Sequence, residues 1–368
     1  MPSATLPTLD WDAISVMGLG ARKSKIDALH LESGFMKCMG DSWGKNGAPW
    51  GDEFVYQHTL NLYNHSSPSA FPTGYEHFDA SAISPVQSAF FKPKLTGIMM
   101  KIGVTEMFQL GGKAEAMRKL VEDRQESCMG YLMRQFVRQL VAGGGVGFSQ
   151  WLTLNGIDYT GASGGVFEEN AVTLQGNTLG GLSKSTLSFA KGWNNVLQDL
   201  SNAFGSNVWR LQLAIAQVKE FTADLSKHAW IMSTVASSNL SRSSTNQIMF
   251  VNGADLDLGR TTPTYGGVKI YVEPQMPVST ATGGSSTNTY PLSAILLNTK
   301  RIRVAFQSKP ATPAGSNYEL PQGHFGVGRW TNLGGTQIVM GCPILVAGNT
   351  IVEEMGSSAA IIRGETYA

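Results

Sequence analysis

From Gly112 to about Ala142 the apolar residues recur at a period of 3.6. Met117, Leu120, Val121, Cys128, Leu132, Phe136 and Leu140 fall along one stripe. A helix of about 30 residues is about 45 Å long, longer than a globular domain usually needs. It ends at AGGGVG, Ala142 to Gly147, and a left-handed helix C-terminus explains the glycines. Arg118, Lys119, Arg124, Arg134 and Arg138 load its other faces, partly offset by Glu115, Glu122, Asp123 and Glu126. A solvated helix face is the plain reading of those charges, and a surface that meets a polyanion is the alternative.

A second feature lies just upstream. EFVYQHTLNLY (53–63) alternates as a strand does, and VQSAFFKPKLTGIMMKIGV (86–104) returns to strand. Between them about 22 residues carry Pro68, Pro72, Gly74 and Pro85 as breakers. A structureless connection of that length is uncommon inside a compact domain. The two strands therefore read as a long hairpin reaching away from the body, its tip ordered by a neighbour. A lone two-stranded hairpin is marginal in water, so this feature predicts assembly.

The remaining chain alternates helix and strand. Residues 1 to about 20 read as an arm. Residues 21–40 look helical, with Ile26, Leu29 and Met36 on one face and a stop at Gly40, and 41–51 form a turn-rich link. Residues 151–192 are rich in Gly, Thr and Asn; WNNVLQDLSNAF (193–204) and VWRLQLAIAQVKEFTADL (208–225) read as helices. HAWIMST (228–234) is a short buried strand, SSNLSRSSTNQ (237–247) a polar stretch and IMFV (248–251) another strand. YGGVKIYVEPQMP (265–277) reads as one apolar-faced strand, and AILLNTKRIRVAFQ (294–307) as two short strands about an Asn298–Thr299 turn. TQIVMGCPILVAGNTIVEEM (336–355) closes the chain with β structure. The class is α+β: a hairpin arm, a long helix, then mixed helices and a largely antiparallel sheet.

Composition narrows the function classes. Charged residues make up 15% of the 368, and 28 Lys plus Arg nearly cancel 27 Asp plus Glu. That balance argues against tight nucleic-acid binding by the chain as a whole, which needs clustered cations. A surface poor in charge suits a protein that meets other protein. Cys38, Cys128 and Cys342 show no ligand or disulfide spacing, so free thiols are expected. The start, MPSATLPTLDWDA, lacks a basic region followed by an apolar run, and no stretch approaches the length of a spanning helix. A soluble chain made in the cytosol, without membrane contact, is expected.

The search for chemistry returns nothing. GDSWG and GASGG would offer Ser42 or Ser163 as a nucleophile, but neither serine stands between a strand and a helix. The glycine run at Gly143–Gly145 follows a helix, not a strand, which is the wrong context for a nucleotide. His30, His58, His65, His77, His228 and His324 make no metal-binding pair, and Glu168–Glu169 and Glu353–Glu354 are adjacent carboxylates that cannot face one site. No catalytic residue, no metal and no cofactor is expected, and the protein does not read as an enzyme.

The order of the pieces resembles the major capsid protein of tailed bacteriophages, with the Hong Kong 97-type fold, from about residue 50 to the end. VYQHTLNLY and FFKPKLTGIMMKIG resemble the two strands of that family's extended loop, and KAEAMRKLVEDRQESCMGYLMRQFVRQLVAGGGVG its spine helix. HAWIMST, YGGVKIYVEPQMP and AILLNTKRIRVAF resemble its peripheral and axial domains, and TQIVMGCPILVAGNTIVEEMG its closing strands.

The resemblance implies an N-terminal arm over 1–52 and an extended β-hairpin loop over 53–104. It implies a peripheral domain with the spine helix over 105–192, the axial domain with peripheral strands over 193–335, and closing strands over 336–368. It also implies a self-assembling subunit of hexamers and pentamers in an icosahedral shell, built in the host cytoplasm and enclosing double-stranded DNA in a virion. Implied partners are further copies of the chain, a portal protein and a decoration protein. Only about 50 residues precede the hairpin, so a separate scaffolding protein is expected as helper. Phe54, Tyr56, Phe90 and Phe91 are the expected inter-subunit contacts on the loop, with Lys92 and Lys94 where some relatives form Lys–Asn crosslinks. Arg118, Lys119, Arg134 and Arg138 are the expected DNA-facing residues of the spine, in weak, non-specific contact. An encapsulin-type compartment shares the fold; a serine hydrolase and an extracellular carbohydrate-binding or adhesion module are the readings from other classes.

Overall fold

The computed structural model describes residues 33–39, 54–59, 86–109, 114–142, 145–148, 150–152, 154, 178–179, 182–183, 196–199, 209–243, 248–250, 263–276, 292–306, 326–327, 330–333 and 339–362. The first element among the described residues is a short helix, α1 (Gly34–Met39), which buries Phe35, Met36 and Met39. Of the helix expected over 21–40, the part before Ser33 lies outside the described residues. The antiparallel hairpin follows, β1 (Phe54–Thr59) and β2 (Val86–Phe91), in register from Phe54 opposite Phe91 to Thr59 opposite Val86. The second arm is not one strand through residue 104. It breaks at Lys92–Pro93, resumes as β3 (Lys94–Gly103), and passes into a short helix, α2 (Val104–Gln109). Proline brings no N–H to a ladder, so the hairpin departs from the body there.

The long helix α3 spans Ala114–Ala142, 29 residues and about 44 Å. Its buried stripe holds Met117, Val121, Leu132, Phe136 and Leu140, with Leu120 and Cys128 partly buried. In its last three turns the stripe widens to take in Met133, Val137 and Val141. Gln139 and Gln135 bend over the helix end, accepting from the backbone N–H groups of Gly145 (2.8 Å) and Val146 (3.1 Å). A Cβ on Gly145 would stand 2.1 Å from the Gln135 carbonyl oxygen. Among the described residues that follow the helix, Gly147 has left-handed backbone, φ 83°; Gly143 and Gly144 lie outside the described residues.

A two-residue pair, β4 (Thr178–Leu179) and β5 (Leu182–Ser183), stands apart. Where a helix was expected over 193–204, the chain forms a strand, β6 (Val196–Asp199). Its ladder partner lies 163 residues on (Val196 opposite Ala359), which no local pattern shows. The helix α4 (Trp209–Lys219) buries Leu211, Ala214, Ile215 and Val218. It stops short of Leu225, where the N–H groups of Phe221 and Thr222 return to the Val218 carbonyl. Strand β7 (His228–Met232) is buried throughout. The polar stretch after it is a helix, α5 (Thr234–Ser243), capped by Ser233, whose hydroxyl oxygen accepts from Ala236 N–H at 3.1 Å.

Strand β8 (Ile248–Phe250) precedes β9 (Pro263–Tyr265) and β10 (Val268–Val272). The apolar stretch at 265–277 is thus not one strand. Gly266 (φ 60°) and Gly267 (φ 82°) make a two-residue hairpin turn of the kind that needs left-handed backbone at both positions. Next come β11 (Leu292–Asn298), β12 (Ile302–Phe306), β13 (Gly326–Val327), β14 (Thr331–Asn332), the 14-residue β15 (Val339–Val352) and β16 (Ala359–Ile362).

These strands form two main sheets, not one. The first runs β6-β16-β11-β7-β10-β9-β8, and it is mixed, because β10/β7 and β16/β6 pair in parallel. The second gathers on β15, which pairs with β3 over ten positions and with β12, β13 and β14. Strands β11 and β12 therefore do not pair with each other; the turn between them carries the chain from one sheet to the other. The chain returns through Glu353–Ser358, and both crossings are clamped together. Arg301 reaches Glu353 (3.6 Å) and Glu354 (3.5 Å), Arg303 pairs with Glu353, and Glu353 N–H donates to the Arg301 carbonyl.

His228 joins the same crossing. Its Nε2 lies 2.7 Å from the Ser357 carbonyl oxygen, which makes Nε2 the donor, and its buried Nδ1 has no partner. Burial holds its pKa below the ordinary 6.5, against the raising influence of Ser357 and Asp224. The folded state therefore prefers the neutral ring, and stability falls as pH drops below about 6.5 and on through the folded pKa. Melting temperatures between pH 8 and 5 should fall in that window for the parent chain. For His228→Gln, which keeps a donor but cannot titrate, that part of the fall should vanish.

Candidate assembly surfaces

The root of the hairpin is where the sequence makes its arm rigid. Asn349 of β15 donates from Nδ2 to the Lys92 carbonyl (2.8 Å) and accepts at Oδ1 from Leu152 N–H (3.0 Å) and Thr350 N–H (2.8 Å). Thr350 Oγ1 donates to the Leu152 carbonyl at 2.8 Å. Thr96 on β3 donates to the Gly147 carbonyl (2.7 Å) and accepts from Trp151 Nε1 (3.1 Å). Trp151 in turn packs with Phe136, Phe148 and Phe306 at centroid distances of 5.0 to 6.1 Å. The helix end, the arm root and the long strand thus meet at one aromatic cluster.

Beyond this root, β1 and β2 form a two-stranded ladder of their own. Ala89 and Phe91 are buried while Phe90 is 47% exposed, as alternation along a strand requires. Phe91 faces the core at the root, so the four expected contact aromatics do not share one surface. Phe54 is the register partner of Phe91, Tyr56 of Ala89 and Phe90 of Val55. Lys92 is exposed and Lys94 half-buried at the break between β2 and β3. Of the four expected loop contacts, Phe90 and Phe91 have described side chains, and Phe90 is the exposed one.

The expected spine cations divide into two groups. Arg118 pairs with Glu122 one turn on at 3.0 Å, and Lys119 is exposed beside it. Arg124 pairs with Glu106 of α2. Arg134 and Arg138 lie about 24 Å further along the axis, both exposed and with no ion pair among the described residues.

Sequence reasoning missed Glu273, in the stretch GVKIYVEPQMP. Its side chain is fully buried. Oε2 accepts from Ser33 Oγ (2.6 Å) and Phe35 N–H (2.9 Å), and Oε1 accepts from Gln275 N–H (3.0 Å). Ser33 Oγ also accepts from Met36 N–H at 3.2 Å. The carboxylate thus caps α1 from across the fold, a favourable place for negative charge. Gly34 lies so close to β10 that a Cβ would stand 2.1 Å from the Val272 carbonyl oxygen. A signal existed in retrospect: a glutamate between an apolar strand and a proline. Nothing local tells that its partners are 240 residues upstream.

Ser42, Ser163, His30, His65, His77 and His324 lie outside the described residues. Burial pushes the Cys38 thiol up to about 12 and raises that of Cys128 as well, so both sit in settings that disfavour thiolate. Among the described residues no group of three or more His, Cys, Asp or Glu could hold a metal, and no helix is long and apolar enough to cross a membrane.

No protein-family model and no curated protein matches the sequence. Solved structures do. The capsid asymmetric unit of cyanophage A-1(L) is 10% identical, with a TM-score of 0.58 over 91% of this chain and 93% of that one. A structure from Mycobacterium phage Ogopogo (11% identical, TM-score 0.47) covers 88% of this chain and 91% of that one. The SrpI encapsulin complex of Synechococcus elongatus (11%, 0.47) covers 88% and 87%. The cyanophage match spans nearly the whole of both chains and carries the assignment. This is an α+β chain of the class that builds a long helix, a projecting hairpin and two sheets. Its fold is that of phage major capsid proteins, the Hong Kong 97-type fold.

Two substitutions test the geometry. Glu273→Ala leaves two donors at the α1 cap and one in its own turn without their acceptor and should destabilise by about 3 kcal/mol in urea unfolding; Gly34→Ala should dislodge the same helix. Asn349→Ala should cost about 2 kcal/mol and speed amide exchange at Leu152 and Thr350, with α4 and α5 unaffected.

Proposed function

We propose that the chain is a structural shell subunit, carrying no catalytic role, whose copies assemble as hexamers and pentamers into an icosahedral capsid around double-stranded DNA. The observation that carries this reading is the β1–β2 hairpin. It is a two-stranded ladder with an exposed aromatic, and such a ladder gains little by itself. A neighbouring copy that covers Phe90 removes apolar area from water at about 25 cal/mol per Å² and pairs or shields the open edges. The likeness of fold to a cyanophage capsid subunit supports the same reading. Closed shells arise when such head-to-tail contacts repeat around rotation axes.

Within this reading a separate scaffolding protein helps assembly, a portal protein occupies one vertex and a decoration protein binds outside. Arg134 and Arg138 make weak, non-specific contact with the packaged duplex. Assembly takes place in the host cytoplasm and the product is a virion shell.

Negative-stain microscopy and sedimentation of the full chain, alone and with candidate scaffold proteins, test the proposal. Closed shells or rings of five and six are expected, with nucleic acid in particles recovered from infected cells. Phe90→Asp should abolish particles while shifting monomer stability by no more than about 0.5 kcal/mol. A monomer under every condition, or particles indifferent to Phe90→Asp, would remove the support for this reading.

A further inference from the structure

We propose that the cleft between α1, the C-terminal half of α3 and the Glu273–Gln275 turn is a docking seat for a segment of a separate polypeptide that combines an apolar anchor with acidic residues. The cleft has a volume of about 230 Å³. That is below the range of pockets that enclose a whole drug-sized ligand, about 300–1,000 Å³, and suits an inserted side chain instead. Its floor is Met36, Met133 and Val137, and at its rim stand Arg134 and Gln275. Methionine surfaces adapt to varied apolar partners.

Charge selects the partner. Arg134 is exposed at the rim and Arg138 lies one turn on along the same face, with no ion pair for either among the described residues. The guanidinium fork recognises carboxylates bidentately. The one carboxylate in the cleft wall, Glu273, is already engaged by three hydrogen-bond donors and is fully buried. Those bonds also hold α1 against the turn, so the walls stand formed before any partner arrives. A phosphate backbone would meet the arginines but would leave the apolar floor unfilled, so a peptide satisfies the site better than DNA.

The seat is defined within a single copy and does not depend on the shell reading; within that reading, an assembly helper is the kind of partner it suits.

A displayed random 12-residue peptide library, panned against the immobilised full chain, tests the seat. Arg134→Glu/Arg138→Glu serves for counter-selection, and circular dichroism checks its fold. Both positions are exposed, and Arg134→Ala/Arg138→Ala stands in if the reversal perturbs folding. Enriched peptides should carry Leu, Ile, Met or Phe beside Asp or Glu, and the charge-reversed chain should bind them at least tenfold more weakly. Met133→Lys should weaken them too, and a mixed-sequence 30-base-pair DNA should not displace them. Three outcomes would overturn the proposal: no enrichment, enriched peptides without acidic residues or indifferent to the charge reversal, and full displacement by DNA. Assembly assays on the parent chain are read separately, so loss of the shell reading leaves this result intact.

Discussion

The fold depends on one contact: the apolar stripe of α3 laid against the inner face of the sheet built on β15. Met100 and Ile102 of β3, Cys342, Ile344 and Val346 of β15, and Leu132, Phe136 and Leu140 of α3 belong to one buried cluster. The alternation of the strands and the 3.6 period of the helix present flat faces to each other over much of their length. Helix α1 and the root of the hairpin join the same cluster through Phe35, Met36, Ala89 and Phe91.

The second cluster is separate. It lies under α4 and α5 and packs them on the mixed sheet through Leu211, Val218, Trp230 and Leu240. The mixed sheet lies between the two cores: Ile231 of β7 and Ile295 and Leu297 of β11 face the first, while Trp230, Met232, Ala294 and Leu296 face the second. The charges at the crossings are half-buried and paired, so they add specificity of position more than net stability.

What was legible in the sequence follows from the range of the interactions. The long helix was legible because its period repeats over many turns, and the hairpin because two alternating runs flank breakers. β7 was legible because the apolar run Ala229–Met232 reads as a buried strand. Strand β6 was not, since its residues suit a helix and a distant parallel partner decides the outcome. Helix α5 hid behind serines, which are weak helix formers; only Val235, Ala236 and Leu240 anchor it. The double glycine at 266–267 was visible yet read as part of a strand, although two adjacent glycines between apolar runs are a hairpin signal. The aromatic contact surface was half legible: Phe90 and Phe91 are neighbours in sequence and opposites in space. Glu273 was illegible because its role consists of hydrogen bonds to residues 238 and 240 positions away.

Glu273 is a fully buried acid whose carboxylate oxygens are engaged by hydrogen-bond donors. A reactive carboxylate keeps a lone pair or a proton available towards a cavity, and its environment sets its pKa to suit a task. Here the oxygens are directed to a hydroxyl and two backbone N–H groups, and the negative charge rests at the start of a helix. The acid is engaged in holding two chain segments together. The same economy governs Asn349, Thr96 and Gln139, whose polar atoms close backbone gaps at the arm root and the helix end. These buried polar groups fix where elements begin, end and turn.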